Sequence, residues 1–93
     1  MTYRVIFLPG ARKDALSLPK PVRVRLITRV DSLAENPRPP GSEPLTGDLR
    51  GLRKLRIGDY RVAYEVVDND GTVWVWQIGH RRRFYRDVRR RRG

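Results

Sequence analysis

The sequence holds no cysteine and a single histidine, His80. The first absence excludes a disulfide scaffold, a cysteine zinc site and a cysteine nucleophile. The second leaves too little to build a poly-histidine metal site. No apolar run is long enough to span a bilayer, and Met1–Gly10 lacks the basic, apolar, small-residue order of a secretion signal. Acidic groups are scarce too, ten against 21 lysines and arginines. With 93 residues, 39% of them apolar, the chain has material for one domain (1–93) around one modest core. The expectation is a small soluble cytoplasmic protein with no metal, no cofactor and no membrane attachment.

What abounds is positive charge. The formal net charge is +11, and it is uneven: residues 79–93 carry eight arginines and one aspartate. Such a field attracts polyanions, of which nucleic acid is the commonest in a cytoplasm. The same run also reads as a solvated basic tail.

Period and punctuation give the order of elements. Thr2–Leu8 is rich in Tyr, Val, Ile and Phe and stops at Pro9-Gly10, as a strand does. Ala11–Leu18 reads as a short helix closed by Pro19. Pro21 then suits the first position of a second helix, in which Val22, Leu26, Ile27, Val30, Leu33 and Ala34 recur at helical spacing. Asn36-Pro37 ends it. Residues 36–48, with four prolines and two glycines, read as a surface loop. Three strands follow, Leu52–Ile57, Tyr60–Val67 and Thr72–Gly79, separated by the hairpin turns Gly58-Asp59 and Asp68-Asn69-Asp70-Gly71. Arg81–Arg92 reads as a short basic helix or a fraying tail. The order β-α-α-β-β-β implies an α+β domain, its second helix covering one face of a sheet.

Hairpin register concentrates the charge. A two-residue turn at Gly58-Asp59 sets Arg56 directly opposite Arg61, with Lys54 two residues away on the same face. Like charges facing across a ladder destabilise a sheet, so this triangle suggests a seat for an anion. An exposed face whose long side chains splay into solvent, with Glu65 offsetting some repulsion, accounts for the pattern as well. With a regular turn at Asp70-Gly71, His80 falls opposite Arg61, Arg81 sits beside the triangle, and Phe84 and Tyr85 follow. A bulge would flip this parity, and the polar Gln77 on a core-facing position is a sign of one. Cations beside an aromatic ring suit unpaired RNA, the ring stacking on a base; equally, Phe84 and Tyr85 could pack the tail onto the sheet. Trp74 and Trp76 read as core or partner-facing residues.

The chemistry open to such a cluster is narrow. The chain shows no carboxylate pair placed for acid–base work and no glycine-rich phosphate loop, and Ser17, Ser32 and Ser42 have no histidine nearby in sequence. Metal-free RNA cleavage by the RNA's own 2′-hydroxyl remains. Arginines would stabilise the pentacovalent phosphorane, and a lysine crowded by guanidinium groups would have its pKa lowered and could serve as a base. His80 could carry a proton near neutrality.

The stretch L-R-G-L-R-K-L-R-I-G-D-Y-R-V-A-Y-E-V, followed by V-W-V-W-Q-I-G-H-R-R-R-F-Y, closely resembles the RelE family of toxins within the RelE/ParE superfamily. The resemblance covers nearly the whole chain. It implies two antiparallel helices on a four-stranded, mainly antiparallel twisted sheet, with a short basic C-terminal helix or tail. It further implies a type II toxin–antitoxin toxin that cuts messenger RNA in the A site of the 70S ribosome. A cognate RelB-like antitoxin would silence it, in a heterotetramer or larger complex. The family's basic catalytic positions carry over to Lys54, Arg56, Arg61 and Arg81, and its aromatic position to Tyr85, with His80 in the slot before Arg81. Lys54 or Arg56 would support removal of the 2′-hydroxyl proton, and Arg61 and Arg81 would bind the phosphate. Tyr85 would stack on a base, and His80 and Tyr85 compete for proton transfer. Arg53, Arg82, Arg83, Arg86, Arg89 and Arg90 are assigned to the RNA backbone, so truncating Arg89–Gly93 is expected to weaken binding without stopping chemistry. ParE-like members, which poison DNA gyrase without cutting RNA, are the alternative; they typically lack the full basic set.

Overall fold

The β-forming run at the start of the chain becomes β1 (Arg4–Phe7) in a computed structural model that describes residues 2–93. Met1, part of the expected 1–93 span, lies outside the described residues. Pro9-Gly10, read as a strand stop, instead opens α1 (Pro9–Leu16). Proline suits that first position because its missing N–H would have no partner there. The second helix, α2 (Lys20–Asp31), starts one residue before Pro21 and relaxes into a 3₁₀ turn at Ser32–Ala34.

The sheet has five strands rather than the expected four. The extra one, β2 (Ser42–Pro44), lies inside the proline-rich stretch read as loop. At three residues it is too short to display a period. Its Pro44 is tolerated because β2 is an edge strand. Then come β3 (Arg53–Ile57), β4 (Tyr60–Val67) and β5 (Thr72–His80). The spatial order is β1-β5-β4-β3-β2. β1 runs parallel to β5 and every other pair is antiparallel. Gly58, at φ 57°, supplies the left-handed backbone that the β3–β4 turn requires.

Alternation along the strands makes two cores. Leu55, Ile57, Val62, Tyr64, Val73 and Val75 face Ala11, Ala15, Leu26, Val30 and Leu33 of the helical layer. The opposite face is covered as well. The basic tail is a helix, α3 (Phe84–Arg92), and its Phe84 and Val88 are buried against Leu45, Leu49, Leu52 and Ala63. Each of these two burials is worth on the order of 2 kcal/mol, enough to dock a helix whose remaining residues are almost all charged. No helix among the described residues is long and apolar enough to cross a membrane.

A bulge separates the two halves of the β4–β5 ladder. Tyr64 pairs with Val75 but Ala63 with Gln77, so Trp76 is the extra residue. The parity therefore flips, and His80 falls opposite Tyr60 while Arg61 faces Gly79. The regular register that set His80 against Arg61 is corrected here. Gln77 turns toward the α3 layer, where it is buried.

Candidate functional site

The β3–β4 hairpin has the register its turn dictates. Ile57 pairs with Tyr60, Arg56 with Arg61, and Lys54 with Ala63. Lys54, Arg56 and Arg61 thus share the face on which α3 lies. Ala63 is fully buried, and its small side chain leaves room for Phe84 above it. The next residue, Tyr85, is carried to Lys54. Lys54, Arg61, Arg81, Arg82 and Tyr85 line an open cleft of about 450 Å³. Arg56 lines an adjoining hollow with Ser42, Glu43, Lys54 and Arg61.

Lys54 is the hub. Its Nζ lies 2.7 Å from Glu43 Oε1 and donates to the Tyr85 hydroxyl at 2.9 Å. The hydrogen bond to Glu43, and then that to Tyr85, raises the Lys54 pKa above its ordinary value, with burial opposing. This corrects the expected lowering: the nearest charged partner is a carboxylate, not a guanidinium. The same contact lowers the pKa of Glu43. The Arg61 guanidinium folds back on the β3–β4 turn, Nη1 donating to the carbonyls of Gly58 and Tyr60, each at 2.9 Å. Neither Arg56 nor Arg61 meets a carboxylate among the described residues. Arg81 has only a long contact, 3.8 Å from Nε to Asp59 Oδ1, while its backbone N–H donates to the Asp59 carbonyl. Tyr85 remains 41% exposed, so its ring can receive a stacking partner.

Other expected residues stand elsewhere. His80 is exposed on the face of the helix pair, its ring edge-on to Tyr60 at 5.8 Å and its Nδ1 accepting the Arg82 N–H. It does not line the cleft. Arg53 pairs with Tyr64 and so points to the face opposite Lys54, where it donates to Ser42 Oγ. Arg83 lines a separate cleft on the α1 side of α3. Arg89 is paired with Asp48 at 3.1 Å, Arg90 with Asp87 at 3.0 Å, and Arg86 reaches Asp87 at 3.8 Å. Of the arginines assigned to the RNA backbone, Arg82 alone lines the cleft.

The arrangement is a trough of fixed cations with one carboxylate and one phenol at its wall, suited to a phosphodiester and an adjacent base. A family model described as "ParE toxin of type II toxin-antitoxin system, parDE" matches residues 5–85. The chain belongs to this toxin family. Toxin RelE of Mycobacterium tuberculosis is 35% identical over 85 residues, covering 90% of this chain and 87% of that protein. Toxin RelG of the same organism is 32% identical, over 92% of this chain and 99% of its own. Among solved structures, the M. tuberculosis RelBE2 toxin–antitoxin complex superposes with a TM-score of 0.80 at 29% identity, over 87% of this chain and 100% of that one. The archaeal RelE–RelB complex from Pyrococcus horikoshii OT3 gives 0.72 at 35% identity, over 87% and 97%. The likeness to RelE structures places the toxin in the RelE/ParE superfamily.

Sequence reading missed Glu43 in this toxin. It lies on β2 opposite Lys54, within a segment whose prolines mask any strand signal. The one available cue was chemical: Glu43 is the sole carboxylate between Asn36 and Thr46, ten residues before Arg53, where the most basic hairpin begins.

Proposed function

We propose that this toxin is a metal-independent endoribonuclease that cuts messenger RNA on the 70S ribosome in the cytoplasm and thereby stops translation. The observation that carries the reading is the convergence of Lys54, Arg61, Arg81 and Tyr85 on one cleft, with Arg56 and Glu43 adjoining. In this reading the RNA 2′-oxygen attacks the neighbouring phosphorus and the 5′-oxygen leaves, giving a 2′,3′-cyclic phosphate and a 5′-hydroxyl. A reaction that needs the 2′-hydroxyl spares DNA. Arg61 and Arg81 hold the phosphate and its extra transition-state charge. Lys54 stays protonated, held so by Glu43 and Tyr85, and acts as a fixed charge with Arg56. Arginine is a poor base because it keeps its proton, so the 2′-hydroxyl proton passes to Glu43, the carboxylate lining the hollow beside Arg56 and Arg61. Of the two proton donors considered, His80 faces away; Tyr85, whose oxygen already accepts from Lys54, protonates the leaving oxygen and offers its ring to a base.

Two of the solved relatives are toxin–antitoxin complexes, RelBE2 and RelE–RelB, which supports a RelB-like antitoxin as this toxin's partner, in a heterotetramer or larger assembly. The ParE description of the family model favours a second reading, inhibition of DNA gyrase by binding alone. Expressing the toxin and mapping messenger RNA 5′ ends separates the two. The nuclease yields codon-phased 5′-hydroxyl ends, and Arg61→Ala loses cleavage by at least about 10²-fold while the protein stays folded, since the two turn hydrogen bonds lost are worth only about 1–3 kcal/mol together. Intact transcripts together with blocked supercoiling would transfer the assignment to gyrase.

A further inference from the structure

α3 holds Tyr85 over Lys54, and what aligns α3 is found at its far end. Phe84, Val88 and Arg91 recur at i, i+4 and i+7, one face of a helix. The first two sink into the apolar layer. The third meets Asp14 of α1: Arg91 Nη1 donates to Asp14 Oδ2 at 2.6 Å and Nη2 to Oδ1 at 3.2 Å, a two-pronged pair. Arg91 Nη1 also donates to the carbonyl of Trp76 at 3.1 Å, and Asp14 Oδ2 accepts the N–H of Ile78 at 3.0 Å. Trp76 is the bulge residue. One carboxylate and one guanidinium thus fasten three elements at the point where the β5 ladder is broken. The pair is half sheltered, with Asp14 21% and Arg91 35% exposed. The guanidinium packs so tightly on α1 that a Cβ at Gly10 would lie 2.9 Å from its central carbon.

We propose that Asp14 is a positioning residue for the RNA cleft: acting through Arg91, it sets the pose of α3 on the sheet and so the place of Tyr85 beside Lys54. Arg91 is six residues beyond Tyr85, about 9 Å along the helix axis, so a small pivot at the clamp moves the phenol. Arg89, one turn from Tyr85, cannot substitute, because its partner Asp48 is a surface group and the pair lies 53% and 65% exposed. The catalytic part of this inference rests on the nuclease reading; the structural part does not.

The test compares wild type with Asp14→Asn, Arg91→Ala, Arg91→Lys and Gly10→Ala. Three measurements are made: amide exchange, the nuclear Overhauser contact between the Tyr85 ring and the Lys54 side chain, and steady-state cleavage of ribosome-bound messenger RNA. Asp14→Asn and Arg91→Ala are expected to speed exchange along α3 by about tenfold or more while β4 is unchanged. They weaken the Tyr85–Lys54 contact and lower kcat about tenfold with little change in KM. Arg91→Lys, which keeps the charge and one bond, retains most of both signals. Gly10→Ala, which displaces the guanidinium without altering either charge, reproduces the loss in milder form. Unchanged α3 exchange overturns the proposal, as does exchange that rises equally in β4 and α2, or a loosened α3 with the Tyr85 contact intact. If wild type leaves RNA whole, the nuclease reading falls alone, since exchange and the Overhauser contact still judge the clamp.

Discussion

Lys54 sits in a cleft that already holds Arg61 and Arg81, and it remains charged because Glu43 and Tyr85 both bind its ammonium group. The two shifts have opposite sign and the same effect. The lowered Glu43 keeps its contribution above its ordinary value of 4.5 and loses it only as pH falls through a still lower point. The raised Lys54 keeps its contribution below 10.5 and loses it only as pH rises through a higher point. The pair is therefore intact throughout neutrality. With Glu43 as proton acceptor, the acid limb of the cleavage rate lies below pH 4.5, whereas a histidine base would place it near 6.5. Glu43→Gln should lower kcat by about 10²–10⁴-fold and leave KM equal or smaller, since an anion competing for Lys54 is removed. Cleavage lost in His80→Ala but kept in Glu43→Gln would return proton transfer to His80.

At the scale of elements, α3 changes what the basic run means. Its last turn places four arginines where the helix dipole favours cations, but Arg89 and Arg91 spend their charge on Asp48 and Asp14. Removing Arg89–Gly93 deletes both anchors. Contrary to the expectation of weakened binding alone, this truncation should fray α3, displace Tyr85 and depress kcat as well as affinity. Circular dichroism and cleavage measured on the same sample check it: unchanged kcat with weaker binding would restore the picture of a free tail. β2 matters for a similar reason. Three residues of strand, invisible to any periodicity, bring Glu43 to Lys54.

Over the whole molecule the +11 charge favours polyanions, and the fold decides which charges remain available to one. Binding should weaken steeply with salt. Arg56→Ala, Arg61→Ala and Arg82→Ala should each reduce the logarithmic salt slope by roughly 0.7–1, as expected for a lost phosphate contact. Arg90→Ala should change it less, because Asp87 already neutralises that group; equal slopes for the two classes would contradict this division. Much of this was legible in the sequence, because it depends on neighbours along the chain. The Gly58-Asp59 turn is local, so it determined that Arg56 opposes Arg61 and that Lys54 joins them. The helical layer and the three central strands follow likewise from period. Only the tertiary structure decided what depends on contacts distant in sequence. The bulge at Trp76 turned His80 away, β2 supplied Glu43, and Asp14 clamps a helix that begins 70 residues later. Periodicity reports which face a residue takes within its own element; which element covers that face is settled by packing, and here packing chose the members of the cleft.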